Sequence, residues 1–375
     1  MQYRRMPIEI ESPEQLGYDT IANNLSESSV SDQRLADLGL DLDLADLVLC
    51  YGDHLGDPAL RAEVAKGGAG LDPDDVIVTP GAAAALFFLA TSQLDRGDHL
   101  VVMRTNYATN IETPRAVGAD ISYLDLAFDE GYRLDLDRLA SLIRPDTKLV
   151  SLTCPHNPTG SMLSEDELRA VVALVEATDA VLLVDETYRD LTHGTPRPLV
   201  ATLSERAVSI ASMSKAFGLP GLRVGWAVTR DPGLLEQLLA AKEQVVICGP
   251  TLDEAIAARV LADRERILAP IRARNAEHLA ILTAWMDGEP RMEWVPPAGG
   301  VVCFPRIRPS VDVDVARFTD VLLGDHATYV GAGHWFEADP RHMRLGYGWP
   351  TTDELRRGLA AISLTLDTIA LGDPA

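Results

Sequence analysis

Lysine is scarce in this chain. Of its 33 basic residues only Lys66, Lys148, Lys215 and Lys242 are lysines, and all the others are arginines. Any chemistry that needs a primary amine therefore has four candidates. Cysteine is equally thin: Cys50, Cys154, Cys248 and Cys303 are far apart and form no C-x-x-C pair, which indicates neither a zinc site nor a dense disulfide framework. Isolated cysteines of this kind usually pack as small buried hydrophobes. No apolar run approaches the roughly 20 residues of a membrane span. The segment Met1–Glu11 has no apolar stretch of the secretory type, so a cytoplasmic protein is expected. Positive charge is outweighed, 33 basic against 56 acidic residues for a net charge of −23, so nucleic acid and anionic membrane surfaces would be repelled. No G-x-G-x-x-G follows the first strand and no G-x-x-x-x-G-K-[ST] occurs, which removes the dinucleotide and P-loop readings. A G-x-S-x-G elbow and an H-E-x-x-H zinc motif are also missing. No metal ligand set is proposed.

What is present is an ordinary globular composition, 47% hydrophobic and 24% charged over 375 residues. That length exceeds the about 250–300 residues of one packed core, so two units are expected. Residues 1–45 are polar and acidic, an arm with one short helix. From about residue 70 short Val/Ile/Leu runs alternate with helical patterns: Val76–Thr79, Leu100–Met103, Ile121–Leu124, Leu149–Thr153, Val181–Val184, Ala207–Ala211 and Val224–Val228. Short continuous apolar runs suit strands buried on both faces of a mainly parallel sheet. Gly81–Gln93 reads as a buried helix, and Ser164 with Glu167 forms a capping box opening another. Beyond residue 230, Leu234–Gln244 and Thr251–Ala284 read as long helices, followed by short strands at Val301–Phe304 and Met343–Tyr347 and a final helix from Thr352. The expected fold class is α/β: a large domain with a mostly parallel seven-stranded sheet flanked by helices, plus a smaller α+β domain. Its boundaries are read as an arm over 1–45 completing the small domain, a large domain over 46–250, and an interdomain helix with the small C-terminal domain over 251–375.

The decisive stretch is Ser212-Met213-Ser214-Lys215, directly after the strand Ala207–Ala211, with Arg223 eight residues beyond Lys215 in Gly221-Leu222-Arg223-Val224-Gly225. The C-terminal edge of a parallel sheet is where α/β proteins place their sites. The three other lysines read as solvated charge. Upstream, Asp185 ends a strand in Asp185-Glu186-Thr187-Tyr188, and Asn157 lies in Asn157-Pro158-Thr159-Gly160. Gly81-Ala82-Ala83 opens a helix whose free N–H groups suit a phosphate.

This order of motifs, S-x-S-K-x-x-x-x-x-G-x-R-x-G above all, resembles the fold type I pyridoxal phosphate enzymes of the class I/II aminotransferase family, over about residues 50 to 350. The resemblance implies the cofactor pyridoxal 5′-phosphate and a homodimer with shared active sites. It implies that Lys215 forms the aldimine and then acts as base at Cα, that Asp185 meets the ring nitrogen, and that Tyr188 and Asn157 meet the phenolic oxygen. It assigns the phosphate to Gly81, Ala82, Ala83, Ser212, Ser214 and Arg223, ring stacking to Tyr107, and the substrate α-carboxylate to Arg344. Tyr51, in Tyr51-Gly52-Asp53-His54-Leu55-Gly56, would reach the partner's phosphate across the dimer. Asn110 stands where family members often carry a second aromatic residue.

The shared motifs do not choose between transamination and loss of a β-substituent. The departures do favour one. Asn24-Leu25-Ser26-Glu27-Ser28-Ser29 replaces a glycine-rich segment, and together with Asp185-Glu186-Thr187-Tyr188-Arg189 it is similar to capreomycidine synthases. Glu27, with Asp53 and His54, would then meet a cationic side chain, and the implied reaction is dehydration and cyclisation of a hydroxylated arginine. The alternative is an amino acid:2-oxo acid aminotransferase. A cofactor-binding regulator fused to a DNA-binding module is disfavoured by the short acidic arm. A membrane partner is not expected.

Overall fold

The structure, a computed structural model, describes residues 1–42 and 44–370. The arm holds two one-turn helices, α1 (Pro7–Ile10) and α2 (Pro13–Leu16), and a short strand β1 (Asn23–Leu25), where a single helix was expected. Prolines start both helices, where a missing N–H costs nothing. Helix α3 (Pro58–Ala65) follows. The large sheet then runs β2 (Val76–Thr79), β3 (His99–Arg104), β4 (Asp120–Asp125), β5 (Thr147–Thr153), β6 (Val181–Asp185), β7 (Ala207–Ser212) and β8 (Gly225–Val228). Helices α4 (Ala82–Gln93), α5 (Thr109–Val117), α6 (Leu136–Leu142) and α7 (Glu165–Glu176) lie between successive strands from β2 to β6. All seven predicted strands form, in spatial order β2-β8-β7-β6-β5-β3-β4. Only β8 runs against its neighbours β2 and β7.

The α7 capping box is present, with the Glu167 amide donating to Ser164 Oγ at 3.1 Å and Ser164 N donating back to Glu167 at 2.7 Å. Leu168, Val171, Val172 and Val175 fall on one face and are buried, worth about 2 kcal/mol each in apolar transfer. Helix α4 is apolar nearly all round and buries Leu86, Phe88 and Leu89 beneath the sheet strands.

Helices α8 (Pro232–Glu243), α9 (Thr251–Ala262) and α10 (Arg264–Gly288) follow. The helical stretch expected over Thr251–Ala284 is thus broken at Asp263, whose N–H bonds back to Arg259 and Val260 and whose carboxylate turns to Arg266 at 2.8 Å. The smaller unit carries β9 (Met292–Glu293), β10 (Val302–Cys303), β11 (Arg306–Ile307), α11 (Val315–Gly324), β12 (Thr328–Ala332), β13 (Met343–Gly346) and α12 (Thr352–Ala370). Its four-stranded sheet has the order β1-β12-β13-β10, with the arm's β1 parallel to β12. Strand β12 was not read from the sequence, because its Thr-Tyr-Val-Gly-Ala pattern is short and its partner lies some three hundred residues upstream. Among the described residues no helix is long and apolar enough to cross a membrane.

Candidate active site

Parallel strands end on one side of their sheet, and that edge collects the predicted residues. Asp185 closes β6, Ser212 closes β7 with Ser214 and Lys215 just after it, Thr153 closes β5 ahead of Asn157, and Tyr107 follows β3. Strand β8 runs the other way, so its N-terminal end, with Arg223 two residues before it, meets the same edge. There the backbone is pressed close: a Cβ at Gly225 would stand 2.5 Å from the Ala82 amide nitrogen, and one at Gly81 (φ +79°) 2.8 Å from Arg223 Nη2. Both glycines let the first turn of α4 approach Arg223.

A cavity of about 470 Å³ opens at this edge. Ala82, Ala83, Tyr107, Asn157, Asp185, Tyr188, Ser212, Ser214, Lys215, Arg223, Arg344 and Glu27 all line it. Gly81 is set just behind, as the residue before α4. Tyr51 is not there: it is 82% exposed on the outside of the chain. The Asp53/His54 pair is also elsewhere. Asp53 pairs with Arg61 at 3.2 Å and His54 Nδ1 lies 2.5 Å from Glu243, so neither faces the cavity of its own chain. The lysines separate clearly. Lys148 is exposed and Lys66 pairs with Glu63 at 2.6 Å. Lys242, expected to be solvated, is instead fully buried and donates to the His54 carbonyl at 2.5 Å, because α8 packs its last turn against the segment before α3.

Asp185 is 5% exposed, and its Oδ1 accepts from the Thr187 amide (3.1 Å) and hydroxyl (2.6 Å). Burial raises its pKa, an arrangement that favours a cationic partner. Burial lowers the pKa of Lys215, with the Glu27 carboxylate pulling back up, so more free amine is present at neutral pH than for a surface lysine. Arg344 is 4% exposed; Nε and Nη2 donate to the Ser26 carbonyl at 3.1 and 2.5 Å, and Nη1 to Asn157 Oδ1 at 3.2 Å. The Asn157 carbonyl oxygen is thereby committed, and its amide group is left as a donor. Glu27 Oε1 accepts from Tyr18 Oη at 3.0 Å, and Tyr18 stacks on Trp349 at 5.9 Å.

Sequence reasoning missed three contributors. Thr187 was legible, since a threonine two residues after an aspartate is a local hydrogen-bond partner. Trp335 and the arm residues Ile8, Glu9, Pro13 and Glu14, all lining the cavity, carried no sequence signal.

The comparisons with known proteins agree with this geometry. The family model for aminotransferase class I and II matches residues 24–362. The chain belongs to the class I and II aminotransferases. Capreomycidine synthase of Streptomyces vinaceus is 33% identical over 334 residues, 88% of this chain and 84% of the relative. An arginine–pyruvate transaminase of Pseudomonas aeruginosa is 29% identical over 310 residues, 79% of this chain and 77% of the relative. Among solved structures, the PLP-dependent cyclase OrfR superposes with a TM-score of 0.89 at 32% identity, covering 98% of each chain.

The cofactor of this aminotransferase-family enzyme is pyridoxal phosphate. The residues present fit it: a lysine and a buried carboxylate lining one cavity, and an anion cradle made of the α4 N-terminus, two serines and an arginine.

Glu186, next to Asp185, is absent from the cavity. Its Oε1 accepts from the Val200 amide at 3.0 Å, its Oε2 is buried without a partner among the described residues, and burial pushes its pKa up to about 7. Unfolded, the same group titrates near 4.5. Between these values the folded protein holds a proton that the unfolded chain releases, so stability falls as pH rises through the window, by about 3 kcal/mol in full. Glu186→Gln is expected to remove that slope and to raise the unfolding free energy at pH 8 more than at pH 5. Urea denaturation at the two pH values checks it.

Proposed function

We propose that this enzyme acts at Cα of an amino acid with a cationic side chain, removing water from a hydroxylated arginine and closing a ring. The observation that carries this reading is Glu27: a carboxylate in the same cavity as Lys215 and Arg344, oriented by Tyr18 and without a cationic partner among the described residues. The named activities of the relatives, a capreomycidine synthase, a cyclase and an arginine transaminase, support it.

In this reading the α4 amides of Ala82 and Ala83, with Gly81, Ser212, Ser214 and Arg223, hold the cofactor phosphate. Asp185 faces the ring nitrogen, Tyr188 and Asn157 the phenolic oxygen, and Tyr107 the ring. Pyridoxal phosphate supplies, when bound, a protonated ring that accepts the electron pair released at Cα. Arg344 fixes the substrate carboxylate in its planar fork. Lys215 removes the Cα proton. The Cβ–O bond breaks and the hydroxyl leaves as water; a guanidino nitrogen bonds to Cβ and gives up a proton; Lys215 returns a proton to Cα. One water is lost overall. Glu27 holds the guanidino end near Cβ.

The second reading, transfer of the amino group to a 2-oxo acid, is favoured by the similarity to the arginine–pyruvate transaminase. Incubation with hydroxylated arginine and mass spectrometry separates the two. Loss of water without a 2-oxo acid supports cyclisation; an amino group appearing on added pyruvate overturns it.

A homodimer belongs to the same proposal. Tyr51 is exposed, as are the apolar residues Val48, Leu49, Val245 and Ile247, which a second copy could cover. Tyr51→Phe is expected to weaken cofactor binding about tenfold by loss of one hydrogen bond to a charged phosphate, read by titrating the apoprotein. A fully active monomer in sedimentation would refute the shared site.

A further inference from the structure

The arm forms one wall of the cavity through Ile8, Glu9, Pro13 and Glu14. One-turn helices do not hold their own conformation, so the position of this wall depends on what ties it down. Ile8 packs into the core, and the polar tie is Glu11, between α1 and α2. Its Oε2 accepts from Trp335 Nε1 at 2.7 Å and lies 2.8 Å from His334 Nε2, while its backbone carbonyl accepts from Tyr329 Oη at 2.7 Å. Trp335 is 3% exposed, lines the cavity itself, and has the Arg344 guanidinium 5.8 Å from its ring centre. One carboxylate thus joins the arm to the wall that carries the arginine.

We propose that Glu11 is a positioning residue that seats the arm, and that the seated arm sets the side-chain preference of the site. Glu9 and Glu14 lie on the cavity and have no ion-pair partner among the described residues. Their charge reaches Lys215 together with that of Glu27. The sheet contributes Lys215, Asp185 and the phosphate cradle, which every amino acid substrate needs alike. The arm contributes carboxylates that only a cationic side chain rewards. This inference rests on the cationic-substrate reading given above.

The test measures binding to the holoenzyme by absorbance change for L-arginine, its neutral isostere L-citrulline, and L-alanine, whose side chain is too short to reach the arm. The wild type is expected to prefer arginine to citrulline by at least about tenfold. In Glu11→Ala that ratio falls below about threefold while alanine affinity moves less than about twofold. Glu11→Gln keeps an acceptor for Trp335 but no charge for His334, and lies between them; it carries the comparison should the alanine variant fold poorly. In the apoprotein, trypsin cleavage after the exposed Arg4 and Arg5 is expected to accelerate about tenfold in Glu11→Ala, as local opening of the arm becomes easier. Equal weakening of all three ligands, or an unchanged ratio and cleavage rate, overturns the role of Glu11 alone. A wild-type ratio near one overturns the cationic reading, and this inference with it.

Discussion

Replacing Lys215 with alanine is expected to abolish the yellow colour of the purified protein and to lower turnover at least about 10³-fold. The chain has four lysines, and three of them are committed or remote: Lys66 to Glu63, Lys242 to a buried carbonyl, Lys148 to solvent on an exposed strand position. Only Lys215 reaches the cavity. Its amine is made more nucleophilic by burial, which lowers its pKa against the opposing pull of Glu27, Glu14 and Glu9. On the proposed reading, removing it takes away both the covalent anchor and the base at Cα, and no other lysine lines the cavity to substitute. Tyr188 is the nearest alternative in kind, but burial raises its pKa far from neutrality. The measurement is the absorbance spectrum with single-turnover kinetics. Colour that persists in the variant would place the linkage elsewhere.

Asp185→Asn is expected to keep the colour while kcat falls about 10³-fold. The substitution preserves shape and the two bonds from Thr187, so the fold and the lysine linkage survive. What it removes is charge. Asp185 is buried and its pKa is raised by that burial; on the proposed reading a cationic ring nitrogen beside it would favour its charged form. An amide carries no negative charge to balance a protonated nitrogen. With pyridoxal phosphate bound, a ring nitrogen left without a carboxylate would hold its proton less well, and the ring would be a weaker acceptor of the electron pair from Cα. Absorbance together with steady-state rates separates this from loss of cofactor. A variant with unchanged kcat would remove Asp185 from the ring nitrogen.

Much of this was legible in the order of residues. Seven apolar runs of four or five residues mark strands, and all seven form; six are buried along most of their length, whereas β4, at the edge of the sheet, buries fully only Leu124. The motif around Lys215, the D-x-x-Y at Asp185 and the turn at Asn157 are local features, each within a few residues of a strand end, so sequence spacing carries them directly. The sheet then brings them together, because parallel strands share an edge. Four matters were decided only by tertiary structure. Lys242 looks like a surface charge in helical pattern and is buried by packing against a distant segment. Asp53 and His54, expected to face the substrate, are taken by Arg61 and Glu243. Strand β12 is completed by the arm. The arm's own place over the site depends on Glu11 meeting Trp335, residues separated by most of the chain. The physical reason is common to all four. Local propensity and short motifs depend on neighbours along the chain, whereas which partner a charge or a strand meets depends on contacts that exist only in the folded chain.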